Sequence, residues 1–111
     1  MTQVEFLEKY QMLAGVAAEI TKRKNADYSK TKDAFANFQL VEYLGVTDTA
    51  TGIMVRMCDK VIRISNLIKT EGKVKDESIT DTLIDLANYS LILAVWINTN
   101  KGGVCIGINK H

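Results

Sequence analysis

The stretch DESITDTLIDLANY, from Asp76 to Tyr89, carries the groups best suited to chemistry: Glu77, Asp81, Asp85 and Asn88, spaced three or four residues apart. On a helix they fall within an arc of roughly 80°, at about 100° per residue. Carboxylates on an otherwise apolar helix need a cation, a donor or a metal, because burial without one is strongly unfavourable. The stripe is therefore expected to face a charged cleft. A second stripe answers it, since Arg56, Asp59, Lys60 and Arg63 fall within roughly 100° of one another among apolar neighbours. Two such helices packed antiparallel set donors for phosphate against carboxylates for a divalent cation. The same residues also admit a structural reading, in which Arg56, Lys60 and Arg63 neutralise Asp81 and Asp85 in interhelical ion pairs. For Asp81 there is a third: Ser78 and Asp81 have capping-box spacing, which suits a helix beginning at Ile79.

The elements that must position these groups are helical. Thr2 and Glu5 form a capping box, and Phe6, Leu7, Tyr10, Leu13, Ala14, Ala17 and Ile20 lie on one side of a first helix that Asn25 is expected to end. Residues 25–47 mix turn formers with Phe35, Phe38, Leu40, Val41, Tyr43 and Leu44, as an ordered connector with one short helix does. A second long helix starts at the Thr47–Asp48 cap and reaches Ile68; a third runs from about Asp76 to Ile97. No proline interrupts any of them. Residues 1–98 read as a single helical nucleotide-binding domain and 99–111 as a glycine-containing tail, either a frayed end or, through its alternating VCIGI, a short edge strand.

Lys24, Asp27 and Tyr28 come together where the first helix ends, and Asn37 with Phe38 follows ten residues later. An aromatic face and an amide so placed can read a nucleobase, although Phe35 and Phe38 serve equally as core plugs. Tyr89 and Trp96 read as core or subunit contact. Cys58 lacks a histidine partner and reads as a buried, inert thiol. The only histidine is the last residue, His111, which removes His-based catalysis and His metal clusters. The glycines at 102, 103 and 107 precede no helix, so no phosphate-cradling loop of the P-loop or kinase kind is present.

Composition sets the frame. The chain has 111 residues, 47% of them hydrophobic, and a formal net charge of +1, which gives one domain and no basic excess for a nucleic-acid polymer. Cys58 and Cys105 share no metal or disulfide spacing, as suits a reducing compartment, and cytoplasm is the expected location. The opening MTQVEFLEKY has acids where a secretory leader is basic, and the longest apolar run, Leu91 to Ile97, is seven residues, so no membrane insertion is expected. Two long helices that are apolar over more than one face call for a homodimer or homotetramer.

Three blocks in order, NADYSKTKDAFANF, GIMVRMCDKVIRISNL and DESITDTLIDLANY, resemble the small phage and bacterial proteins of the nucleotide-modification-associated type, relatives of the MazG-like all-α nucleotide pyrophosphatases. The resemblance covers about residues 15 to 97. It implies an all-α, MazG-like helical bundle of three main helices and a short connector helix, assembled as an oligomer. It also implies hydrolysis of a nucleoside triphosphate to monophosphate and pyrophosphate with Mg²⁺, or Mn²⁺, held by acids of two helices. By position, Glu77 and Asp81 are acids of the third-helix motif and Asp59 that of the second. Family members pair acids three apart on both helices, whereas here Arg56 precedes Asp59, and Ser78 and Thr82 precede Asp81 and Asp85.

The chemistry expected of such a site uses Asp59, Glu77, Asp81 and Asp85 as metal ligands. Asp85 also orients or deprotonates the attacking water, and Lys60 and Arg63 hold phosphate oxygens. Lys24, Asp27, Tyr28, Asn37, Arg56 and Asn88 complete the substrate contacts. The alternative is a protein that captures a nucleotide without turning it over, for which Arg56, Lys60 and Arg63 suffice. If phage-encoded, either works in the host cytoplasm.

Overall fold

The computed structural model describes residues 1–28, 33–70 and 74–100, with side chains for all of these except 26–28, 74–78 and 100. Four helices account for most of them: α1 (Gln3–Tyr28), α2 (Ala36–Tyr43), α3 (Thr49–Lys69) and α4 (Val74–Asn100). The described residues contain no strand, so the all-α class stands. The tail from 101 onward, and with it the choice between edge strand and frayed end, lies outside the described residues.

Local chemistry explains the boundaries. At the start of α1 the Glu5 amide donates to Thr2 Oγ1 at 3.1 Å, as the capping-box spacing requires. Asn25 does not end the helix, which continues to Tyr28; its side chain is turned outward, and Nδ2 donates to the Ala34 carbonyl at 3.2 Å. Asp48 is the N-cap of α3, accepting from the Thr51 amide at 2.7 Å and the Thr51 hydroxyl at 2.8 Å. These bonds favour the ionised carboxylate, so its pKa lies below the ordinary 3.8. Helix α4 begins at Val74, already in progress at Ser78. Ser78 is therefore not a cap, and the capping reading of Asp81 falls away.

Helices α3 and α4, joined through residues 70–73, run antiparallel and pack along their lengths as a hairpin, with Ile53 and Ile64 of α3 buried. Helix α2 crosses the start of α3. The approach is close because Gly52 has no side chain: a Cβ there meets Val41 Cγ2 at 2.7 Å. Glu42 Oε1 accepts from the Thr49 amide at 3.0 Å and the Thr49 hydroxyl at 3.2 Å, fastening α2 to the first turn of α3. Between the two, Gly45 takes φ +77°, a conformation that glycine adopts without steric cost.

Helix α1 lies against α4. Ala17 is buried there, and Asn88 Nδ2 donates to the Ala17 carbonyl at 3.0 Å. Ala17, Ile53 and Ile64 are the buried apolar side chains among the described residues. Much of the remaining apolar surface is uncovered, including Phe6, Tyr10 and Leu13 of α1 and Met54, Val61 and Ile62 of α3. Cys58 is exposed rather than buried, because none of the other described helices packs over its side of α3.

Counting only the seven-residue run Leu91 to Ile97 understates α4. The stretch Ile79–Thr99 is long and apolar enough to cross a membrane by length and composition. In this molecule it is one limb of the hairpin, and its Asp85 is ion-paired to neighbouring helices.

Candidate functional site

Three helices meet at Asp85. Lys60 of α3 brings its Nζ to 3.5 Å from Asp85 Oδ2, and Lys24, near the end of α1, brings its Nζ to 3.7 Å from Oδ1. The Asp85 carboxylate is 29% exposed, so the junction is half-buried and open to solvent on one side. Both separations are longer than a hydrogen bond. Each ammonium therefore keeps its donors for water or for a ligand, and the trio carries a net charge of +1. Three helix faces arranged around one carboxylate thus present cationic donors outward.

The groove beside this junction runs along α3. Asp59, Lys60, Arg63 and Asn66 supply its polar lining, with Ile62 and Leu67, around a cavity of about 430 Å³. The groove is shallow and open to solvent, suited to charged groups held at a surface. Among the described residues Asp59, Arg63 and Asp81 make no ion pair, so the groove's arginine is available to an anion. Asn66 was not singled out from the sequence. It continues the Asp59–Arg63 flank at i+7 and i+3, and extending the helical arc by one turn finds it.

Other expected contacts lie elsewhere. Arg56 is stacked over the Phe38 ring, its guanidinium carbon 5.0 Å from the centroid. Phe38 lies 6.2 Å from Phe35, and Phe35 lies 5.1 Å from Trp96. This aromatic run joins the connector to the far end of α4, and a cation over an aromatic face is itself favourable. Asn88 is buried in the α1–α4 contact, with its amide on Ala17. Asn37 is exposed on α2, and Asp81 is exposed one turn before Asp85. The side chains of Asp27, Tyr28 and Glu77 lie outside the described residues; their backbones belong to α1 and α4.

A divalent cation needs carboxylates gathered around one point. Among the described residues no three His, Cys, Asp or Glu side chains come together in that way. Asp85 is already bracketed by two ammonium groups, which compete with any cation for its oxygens. The side chain of Glu77, one of the expected ligands, lies outside the described residues. The described part of the junction presents two ammonium groups and one carboxylate.

The model of the family described as nucleotide modification associated domain 1 matches residues 24–96, about two thirds of the chain. The chain belongs to this family. Its matched span begins at Lys24 and ends at Trp96, so the family's domain holds every residue of the Lys24–Asp85–Lys60 junction and the groove beside it. Most of α1 precedes the family's domain. No curated protein and no solved structure matches the chain.

Proposed function

We propose that this protein takes a nucleoside triphosphate at the α1–α3–α4 junction and hydrolyses it to monophosphate and pyrophosphate, in the nucleotide-pool metabolism of the cytoplasm, the host's where the gene is a phage's. The observation that carries the binding half is the bracketing of Asp85 by Lys24 and Lys60, with Arg63 on the adjoining groove. Phosphate oxygens reaching that point meet ammonium donors from two helices and a guanidinium fork, the strong, charge-assisted kind of hydrogen bond. Membership in a family associated with nucleotide modification supports the same ligand class. Asp85 holds the two lysines in place and, once phosphates relieve it of them, accepts a proton from the attacking water.

The hydrolytic reading carries with it Mg²⁺, or Mn²⁺ in its place, brought in with the nucleotide, since Mg²⁺ is commonly bound through substrate phosphates with few protein ligands. A second reading is favoured by one specific feature: Asp85 is paired to two lysines, and among the described residues no three acids are gathered for turnover. On that reading the protein sequesters a nucleotide and releases it intact.

The deciding experiment incubates the full chain with a panel of ribo- and deoxynucleoside triphosphates, with and without Mg²⁺ or Mn²⁺, and separates the products by anion exchange. Asp85→Asn and Lys60→Met are run alongside. Monophosphate and pyrophosphate from one substrate, lost in Asp85→Asn, establish hydrolysis. Intact nucleotide bound by the wild type and lost in Lys60→Met establishes capture. Absence of both binding and turnover across the panel refutes the proposal.

A further inference from the structure

Helix α1 carries one apolar face along its whole length, and only part of that face is used. At about 100° per residue, Phe6, Tyr10 and Leu13 share an arc of roughly 60° with Ala17 and Lys24. Ala17 and Lys24 are the residues that meet α4. Phe6, Tyr10 and Leu13, on the same face, are 53%, 62% and 46% exposed. The Phe6 and Tyr10 rings lie 6.0 Å apart, a preformed aromatic ridge. Leu7 and Val16 flank it, also exposed.

The hairpin carries a matching recess. Met54, Cys58, Val61 and Ile62 of α3, with Leu86 of α4, line a groove of about 390 Å³ whose lining is apolar. These α3 residues lie roughly 100–200° around the helix from Lys60, with Met54, Cys58 and Val61 on the flank opposite Arg56 and Arg63 and Ile62 at the edge shared with the Arg63 groove. The chain's own α1 cannot fill the groove, because Ala17 and Lys24 commit it to the other side of the hairpin. Among the described residues the ridge and the groove are therefore unpartnered surfaces, on opposite sides.

We propose that the N-terminal half of α1 docks on a second copy of this chain, its Phe6–Tyr10 ridge seated in the groove beside Cys58 on the outer side of the second copy's hairpin. Area selects this occupant. With large side chains burying 150–250 Å² each, half-exposed Phe6, Tyr10 and Leu13 together with the flanking Leu7 and Val16 offer roughly 500 Å². Half-exposed Met54, Val61 and Ile62 of the groove add roughly 300 Å², so a reciprocal pair of contacts approaches the roughly 800 Å² per partner of a stable interface. A chain presenting both surfaces closes on itself as a two-fold dimer, each copy giving a ridge and receiving one. The arrangement does not depend on whether the protein binds nucleotides.

The test uses the full chain in a Cys105→Ser background, so that Cys58 is the sole thiol. Mass is read by sedimentation at tens of micromolar, and Cys58 is titrated with a maleimide. Twice the chain mass is expected, with Cys58 reacting about tenfold or more slowly than a free thiol. Phe6→Asp with Tyr10→Asp should give the monomer and restore free-thiol reactivity. Ile62→Asp, at an exposed groove position, should do the same from the other side and serves if the first variant does not fold. A wild type that sediments as a monomer overturns the proposal. So does a dimer that survives both variants, or a Cys58 that reacts equally fast in all forms.

Discussion

Asn88 decides between two roles that the structure separates. It is buried, its Nδ2 donates to the carbonyl of Ala17 at 3.0 Å, and the two residues are 71 apart in sequence. The side chain therefore fastens α1 to the hairpin. Asn88→Ala removes one hydrogen bond, worth about 1 kcal/mol net, and leaves a small cavity worth roughly another 1 kcal/mol. A loss of about 2 kcal/mol lowers Tm by roughly 8–16 °C in a domain of this size. Asn88→Asp keeps the shape and reverses the chemistry, turning a donor into an ionised acceptor that faces a carbonyl. Its cost at neutral pH should exceed that of Asn88→Ala, since it buries an uncompensated charge. The native state can keep that contact only with the carboxyl protonated, so the variant's folded pKa is raised. Its deficit should then shrink as pH falls toward about 4, the unfolded carboxyl value. Thermal melts of the three proteins at matched concentration, at pH 7 and pH 5, measure all of this. If Asn88→Ala melts with the wild type and only nucleotide affinity falls, the clamp is wrong and Asn88 touches ligand instead.

Two further expectations rest on other contacts. Gly52→Ala drives a Cβ to 2.7 Å from Val41 Cγ2, so it should destabilise by about 1–3 kcal/mol as an overpacked contact; Val41→Ala in the same chain should recover most of the loss in a urea melt. Asp48 has a lowered pKa in the folded state because Thr51 donates to it twice. Its contribution is therefore present above the unfolded value and lost as pH falls through the folded one. The stability gap between wild type and Asp48→Ala should narrow below about pH 4, as measured by thermal melts across that range.

The helices were legible because their signals are local. Thr2 with Glu5, and Asp48 before the apolar run of α3, are caps that act within one turn, and both are seen. The ends were less legible, since Asn25 is drawn outward by Ala34, a partner that no local pattern reveals. Of the site, the opposition of a cationic α3 flank to Asp85 followed from the two stripes. The place of Lys24 beside Asp85 did not, because it depends on where α1 crosses α4. Arg56 shares the stripe of Lys60 by spacing, yet its guanidinium lies over Phe38, an aromatic face that α2 brings across the start of α3. Cys58 was misread for a similar reason: an apolar neighbourhood in sequence does not say whether a second helix arrives to cover it.

The attachment of α1 has a kinetic side. The hairpin of α3 and α4 closes through residues 70–73, so its contacts form at small loop-closure cost. Helix α1 joins through Asn88–Ala17 and Lys24–Asp85, partners more than sixty residues apart. By that separation α1 is expected to dock after the hairpin and to open before it, which amide exchange slower in α3 and α4 than in α1 would show. Lifting it withdraws Lys24 from Asp85 and leaves that carboxylate to Lys60 alone. The charge of the junction then falls from +1 to zero, so an opening of this one helix weakens the hold on any anion there.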